Sequence, residues 1–151
     1  MNRAEPTPAQ AVALRALLDR LIPADDFPGA LAAGVDDYVA GQWRGDCARE
    51  APGLLAGLTA LDAAAAARHG PGLTFAALGQ ERQDALLAEL EAGRPASEWP
   101  AEIAAAAFFR RMNDLAHEGF YADPGNGGNR GAVAWRMIRY VPRPPPAPDS
   151  A

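Results

Sequence analysis

Apolar side chains recur at helical spacing from the start of the chain. The first apolar face consists of Leu14, Leu17, Leu18, Leu21 and Ile22. This i, i+3, i+4, i+7 pattern is typical of a helix that buries one side. Thr7 and Gln10 fit a capping box around Pro8, and Pro23 stops the pattern. A first helix is therefore predicted between Pro8 and Pro23.

The same spacing predicts four more helices. They are expected from Gly34 to Gly41, from Pro52 to His69, over about Gln80 to Glu91, and from Pro100 to the glycine-rich segment that begins at Gly119. Their apolar positions include Val35, Tyr38, Val39, Leu54, Leu55, Leu58, Leu61, Leu86, Leu87, Leu90, Ile103, Ala107, Phe108, Met112 and Leu115. The polar stretch from Gln42 to Glu50 is interpreted as a loop.

The composition supports helices as the main structure. Hydrophobic residues make up 49% of the 151 residues but aromatic residues only 7%, so alanine contributes much of the apolar content. Alanine-rich and leucine-rich sequences favour closely packed helices over a sheet. We therefore predict an all-α fold, a compact bundle of about five helices in a single domain over residues 1–140. The proline-rich residues 141–151 are predicted to be a disordered tail, and residues 132–140 fit either a short helix or an extended arm.

The segment from Gly119 to Gly131 interrupts the helical pattern. Glycine, proline and asparagine dominate it, and these residues favour turns and left-handed backbone conformations. Asp123 and Pro124 predict a turn, and Gly127-Gly128-Asn129 offers positions of positive φ. Aromatic side chains flank the segment at both ends, which indicates a structured loop. A simple connection that reverses the chain fits the same composition.

Charge excludes several classes of function. The formal net charge is −5, and all 14 basic residues are arginine. The negative charge argues against a nucleic-acid partner, and the lack of lysine excludes a Schiff-base or P-loop lysine. No apolar run approaches the roughly 20 residues needed to cross a bilayer, so direct membrane insertion is not expected.

Residues with catalytic or metal-binding chemistry are few. His69 and His117 each end a predicted helix, where they can interact with free carbonyl groups. Cys47 is the single cysteine, and its spacing from the histidines offers no metal site. We therefore assign no catalytic residue and no metal ligand. Cys47 is interpreted as an inert thiol in a loop or as a candidate for an intermolecular disulfide, which would need an oxidising compartment.

Large aromatic side chains are the remaining candidates for function. Tryptophan, tyrosine and arginine are enriched at hot spots of protein–protein interfaces. The sequence offers Trp43, Trp99, Tyr121 and Trp135 together with several arginines. The alternative is that these rings form the core of a protein with few other large side chains.

Two segments resemble those of a known family. GFYADPGNGGNRGAVAWRMI, residues 119–138, is similar to the C-terminal signature of the gluconate 2-dehydrogenase subunit 3 family. LLDRLIPADDFPGALAAGVDDYV, Leu17–Val39, is similar to the other recurrent segment of that family. The segments occur in the expected order and bracket most of the chain. The family usually has an aromatic residue where this chain has Gly125-Asn126, so the contact of such a ring is not expected here.

The resemblance implies a non-catalytic small subunit of an FAD-dependent sugar or alcohol dehydrogenase. The partner would be a large flavoprotein of the glucose–methanol–choline type, often with a cytochrome c subunit. FAD, and haem c where a cytochrome is present, would then belong to the partner subunits, and this chain would bind no cofactor. The small subunit would assist the folding, stability or export of the flavoprotein. We expect five residues to form or support the contact: Tyr121, Asp123, Pro124, Asn129 and Trp135.

Location and mode of action stay open at the level of sequence. Members of this family often begin with an export signal, and none is visible in the first residues of this sequence. The expected location is periplasmic if the chain is exported with a partner and cytoplasmic if it is not. A free-standing enzyme or small-molecule binder would instead use the Gly119–Gly131 segment as a lid over a pocket lined by His117, Glu118 and Asp123. A self-associating helical protein would use its aromatic side chains in a symmetric dimer.

Overall fold

The first helix, α1 (Pro8–Leu21), begins as the sequence predicts in the computed structural model, which describes residues 4–95 and 98–144. The Thr7 backbone N–H donates to Gln10 Oε1 at 2.9 Å, and the Gln10 backbone N–H donates to Thr7 Oγ1 at 3.2 Å. This capping box satisfies donors that the first turn of a helix leaves free. The helix buries Leu14, Leu17 and Leu18 on its apolar face. The predicted capping box is therefore confirmed.

Every regular element within the described residues is helical. After α1 come α2 (Val35–Arg44), α3 (Ala51–His69), α4 (Gln80–Glu91), α5 (Ala105–Tyr121) and the short α6 (Val133–Met137). Single turns of 3₁₀-helix lie at Phe75–Ala77, Pro124–Asn126 and Arg130–Ala132. The all-α class is confirmed: α1 to α5 correspond to the five predicted helices, and α6 shows that residues 133–137 form a helix.

Helix α1 lies at the centre of the packing. It contacts α2, α3, α4 and α5, while α5 also packs against α2 and α4. The shared core is made mainly of leucine and alanine. Gly57 on α3 allows a close approach, because a Cβ at this position would lie 2.3 Å from the ring of Phe108 on α5. Small residues in α3 thus make room for one of the few large rings.

The prediction that residues 42–50 form a loop was wrong for its first part. Helix α2 continues through Gly41 to Arg44, and Trp43 is fully buried. Trp43 follows Val35 and Val39 at intervals of four, so the three side chains share the core-facing side of the helix. Trp43 is therefore a core residue, and its interpretation as a candidate surface residue was also wrong.

The start of the last major helix was predicted too early. Helix α5 begins at Ala105, and Pro100 instead lies in a turn in which its carbonyl accepts from the Ile103 N–H at 3.1 Å. The indole N–H of Trp99 donates to the Ile103 carbonyl at 2.7 Å, and its ring packs on Phe108 with centroids 5.5 Å apart. Trp99 is thus buried in the core. Ala107, predicted to be buried, is exposed.

The glycine-rich loop begins later than the sequence indicated. Residues 119–121 complete α5, so the C-terminal loop, as we define it, comprises residues 122–132. Residues 138–144 follow α6 without forming a further helix and are largely exposed. The last part of the predicted disordered tail, residues 145–151, lies outside the described residues.

Within residues 4–95 and 98–144, none of the helices has the length and apolar character that crossing a membrane requires.

Candidate functional site

The C-terminal loop begins with the predicted turn. The Asp123 carboxylate accepts a hydrogen bond from the Gly125 N–H at 2.8 Å, and the Asp123 carbonyl accepts one from the Asn126 N–H at 2.8 Å. Pro124 occupies the first position of the 3₁₀ turn, where its fixed φ suits a helical start. Asp123 is exposed and Pro124 is half-buried. The turn is rigid because side chain and backbone hold it together.

Asn129 closes the loop from inside. Its side chain is fully buried, and its backbone has a φ of 44°, which asparagine tolerates better than most residues. The Nδ2 group donates to the Ala122 carbonyl at 2.9 Å, and Oδ1 accepts from the Ala134 N–H at 2.9 Å. Asn129 therefore joins the start of the loop to the start of α6 and stabilises the loop from its buried side.

Two glycines let the loop pack directly on α5. A Cβ at Gly128 would lie 2.1 Å from the carbonyl oxygen of Gly119. A Cβ at Gly119 would in turn lie 2.7 Å from the ring of Tyr38 on α2. Real Cβ atoms do not approach other atoms so closely, so glycine is required at both positions for this packing. The backbone of the loop therefore packs on the backbone of α5, which in turn packs on the Tyr38 ring of α2.

Aromatic side chains join the two ends of the loop. The indole N–H of Trp135 donates to the Tyr121 carbonyl at 3.0 Å, and the Trp135 ring contacts Tyr140 edge to face with centroids 5.1 Å apart. Phe120 is buried beneath, while Tyr121 is 41% exposed. Tyr121, Trp135 and Tyr140 thus form an accessible aromatic surface beside the loop.

The two segments that carry the family resemblance meet through Arg130. The Arg130 backbone N–H donates to the Ala33 carbonyl at 2.9 Å, and its guanidinium pairs with Asp37 at 2.7 Å. A Cβ at Gly34 would lie 2.8 Å from this guanidinium, so glycine leaves space for it. The N-terminal segment therefore supports the C-terminal loop, although the two are far apart in sequence.

The structure brings the five predicted contact residues into one region. Tyr121 and Trp135 contribute rings to the surface, Asp123 and Pro124 form its first turn, and Asn129 lies behind it. A contact between these residues and a partner stays a prediction. Sequence reasoning did not single out Arg130, which joins the two segments, or Tyr140, which extends the aromatic surface. Tyr140 lies five residues after Trp135 and beyond the end of α6, so helical periodicity, which pairs residues three and four apart, does not predict their contact.

A polar cluster that includes Arg111 and Glu118 of α5 surrounds Cys47. Arg111 donates to Glu50 at 2.6 Å, to Glu118 at 3.1 Å and to the Cys47 sulfur at 3.2 Å. The hydrogen bond between Arg111 and Glu50 lowers the pKa of the Glu50 carboxyl group. The same hydrogen bond raises the pKa of the Arg111 guanidinium. Arg111 is partly buried within this network.

Cys47 itself is buried in this cluster. Burial raises the pKa of its thiol, and the nearby Arg111 opposes that effect only in part. A buried thiol with a raised pKa is a poor nucleophile. An intermolecular disulfide at Cys47 would therefore require this cluster to rearrange.

The residues proposed to line a pocket under a lid are engaged elsewhere. His117 contacts the Asn113 carbonyl of its own helix at 2.8 Å, Glu118 pairs with Arg111, and Asp123 bonds within its turn. All three side chains are exposed, so they do not enclose a pocket. In the part of the chain that the structure describes, no group of three or more His, Cys, Asp or Glu residues is arranged to hold a metal ion.

Comparison with known proteins gives one result. No curated protein and no solved structure matches the chain. The profile of the family described as gluconate 2-dehydrogenase subunit 3 matches residues 8–142, a range that includes both recurrent segments, α1 to α6 and the C-terminal loop. The chain therefore belongs to the gluconate 2-dehydrogenase subunit 3 family, whose name implies a subunit of a gluconate 2-dehydrogenase complex.

Proposed function

We propose that this protein is a non-catalytic accessory subunit that docks on an FAD-containing dehydrogenase subunit of the glucose–methanol–choline type. Its membership of a family of dehydrogenase subunits carries the proposal. In the proposed complex, FAD belongs to the large subunit, and haem c belongs to a cytochrome subunit where one is present. This chain contributes surface to the complex and takes no part in electron transfer.

The C-terminal loop and the aromatic surface beside it have the physical properties of a docking surface. Tyr121 is 41% exposed although its neighbour Phe120 is buried, so the helix presents a large ring to solvent at no cost to the core. Rings of this kind supply much of the binding energy at protein interfaces. The side chains of Asp123 and Asn129 hold the loop in one conformation. A surface that is ordered before binding loses less conformational entropy when the partner arrives.

The accessory role follows from what such a surface does for a partner. A large apolar patch on an isolated flavoprotein would promote aggregation. A small helical subunit that covers the patch stabilises the folded flavoprotein by mass action, because it binds the native state and not the unfolded chain. Assistance with folding, stability or export would all arise from this one contact.

The test is to isolate the affinity-tagged chain from its native host and record the absorbance spectrum of the eluate. We expect a large protein in stoichiometric amount together with the absorption bands of a flavin. Removal of the small subunit from the purified complex should lower the thermal midpoint of the flavoprotein.

Other results would identify a different function. A colourless monomer that recovers no partner would contradict the proposal. A concentration-dependent dimer without flavin would favour the self-associating protein, and an enzymatic activity of the isolated chain would favour the free-standing enzyme.

A further inference from the structure

Positive charge is concentrated at the C-terminal end of an acidic protein. Residues 124–144 contain Arg130, Arg136, Arg139 and Arg143 and no acidic residue. The rest of the chain carries 10 arginines against 19 aspartates and glutamates. Residues 124–144 therefore differ in sign of charge from the rest of the chain, and they will attract acidic surfaces that the rest of the protein repels.

The same residues expose apolar side chains. Ile138 and Tyr140 are each 52% exposed and Val141 is 79% exposed. We call residues 136–143 the C-terminal arm. The Tyr140 N–H donates to the Trp135 carbonyl at 2.8 Å, and the Tyr140 ring packs on Trp135. The arm thus begins directly at the aromatic surface of the candidate site.

The arginines of the arm differ in their bonding. The Arg136 guanidinium donates to the Gly131 carbonyl. Arg139 and Arg143 are exposed, and neither pairs with a carboxylate among residues 4–95 and 98–144. Several carboxylates, such as those of Asp36 and Asp84, pair instead with arginines of the helices, and Asp37 pairs with Arg130. Among the described residues these two cations, which lie beside exposed apolar side chains, have no carboxylate partner, so they can pair with another molecule.

We propose that the C-terminal arm docks into an apolar recess with an acidic rim on the FAD-containing subunit, and this inference rests on the proposed function. Ile138, Tyr140 and Val141 fill the recess, while Arg139 and Arg143 pair with carboxylates at its rim. The arm continues the surface of Tyr121 and Trp135, so the loop and the arm contact the same partner. The attraction between these arginines and the carboxylates accelerates association. Salt screens this attraction and therefore weakens binding.

A protein surface fits the arm better than a lipid surface. Residues 141–144 form no regular secondary structure, so their free backbone groups need hydrogen-bond partners. A protein groove can supply such partners, whereas the hydrocarbon region of a bilayer cannot. A peripheral helix that lies on lipid satisfies its backbone internally, but α6 ends at Met137, before most of the arm.

The test uses the full-length chain and the purified FAD-containing subunit that the isolation experiment recovers. The double variant Arg139→Gln/Arg143→Gln removes two charges from the arm. Arg82→Gln/Arg110→Gln is the matched control, because it removes two exposed arginines from α4 and α5. Binding is measured by titration calorimetry at low and high NaCl concentration. We expect the arm variant to bind about tenfold more weakly at low salt, with a flatter salt dependence, and the control to bind within about twofold of the wild type.

The outcomes separate this inference from the proposed function. Equal effects of the two double variants, or no effect of either, would overturn the role of the arm and leave the proposed function intact. Failure of the wild-type chain to bind the FAD-containing subunit would overturn both. Sedimentation with phosphatidylglycerol vesicles that depends on Arg139 and Arg143, with unchanged subunit binding, would assign the arm to lipid and overturn the proposal. Self-association that the arm variant abolishes would overturn it in favour of a second copy of this chain.

Discussion

Trp43 lies in the helical core and is fully buried, whereas Trp135 lies at the edge of the C-terminal loop and is half-buried. The indole N–H of Trp43 has no hydrogen-bond partner within the described ranges, so packing alone holds this ring. The indole N–H of Trp135 donates to the Tyr121 carbonyl and joins the two ends of the loop. The core is thus held by the fit of apolar side chains, and the loop by directed hydrogen bonds.

The comparison shows that different forces stabilise the core and the C-terminal loop. Packing in the core tolerates side chains of similar volume. The loop depends on particular atoms, such as the amide of Asn129 and the bare backbone of Gly128. We therefore expect changes in the core to act on the free energy of unfolding, and changes at the loop to act also on partner binding.

The largest effect is expected for Trp43→Ala. The loss of a fully buried ring should lower the free energy of unfolding by about 3–5 kcal/mol, as measured by urea denaturation. Trp43→Phe is the matched control, because it keeps an aromatic ring and removes an N–H that makes no hydrogen bond in the described structure. Phenylalanine should therefore cost less than half as much as alanine. Equal losses for the two variants would show that the N–H, and not the ring, stabilises the core.

Asn129→Ala is expected to have the next largest effect. It leaves the Ala122 carbonyl and the Ala134 N–H without their partner, which should lower the free energy of unfolding by about 2–3 kcal/mol. Hydrogen exchange at the Ala134 amide should become faster at the same time. Asn129→Gly loses the same bonds but tolerates the positive φ, so the difference between the variants measures backbone strain. Unchanged exchange at Ala134 would contradict the assigned hydrogen bond.

Trp135→Ala should distinguish most clearly between an effect on the free energy of unfolding and an effect on partner binding. The ring is half-buried, so the free energy of unfolding should fall by at most about 1 kcal/mol. Binding to the FAD-containing subunit should weaken by about 2 kcal/mol, or roughly 30-fold, if the ring is an interface hot spot. Val12→Ala on α1 is the control, because it shortens another exposed apolar side chain. A folded Trp135→Ala variant with unchanged affinity would remove this ring from the interface.

The smallest effect is expected at the ion pair of Glu50 and Arg111. Because Arg111 lowers the pKa of Glu50 in the folded state, the pair contributes stability above the unfolded pKa of Glu50 and loses it as the pH falls through the folded value. Glu50→Gln should lower the free energy of unfolding at pH 7 by less than about 1 kcal/mol, since the Glu50 side chain is exposed to solvent. The difference from the wild type should shrink as the pH falls below the unfolded pKa of Glu50 and disappear below its lowered folded pKa. A difference that persists there would have a cause other than charge.

The helices could be predicted because their signals are local. Thr7, Pro8 and Gln10 lie within one turn of each other, and the capping box that they predicted is present. The errors arose at residues that are compatible with two different local structures. Gly41 was interpreted as a helix end, but it lies within α2 where a Cβ would meet no atom within 4 Å. Pro100 was interpreted as a helix start, but it begins a turn that the Trp99 indole closes.

The candidate site was predictable only in part. Asp123 and Pro124 specify their turn through neighbouring residues, so the sequence was sufficient there. The contact of Gly128 with Gly119 depends on the direction in which the chain leaves α5, which no local pattern contains. The bonds from Arg130 to Ala33 and Asp37 depend on the packing of α2 against α5. Such contacts follow from tertiary structure and were therefore missed.

The ion pair between Asp37 and Arg130 spans 93 positions of the chain. During synthesis the N-terminal helices emerge first, and a contact of this separation forms only after nearly the whole chain is available. We therefore expect the C-terminal loop between Tyr121 and Trp135 to be completed late, after α1 to α5 have packed. A truncated or half-folded chain lacks the finished surface, so a partner that recognises this surface selects mature copies of the protein.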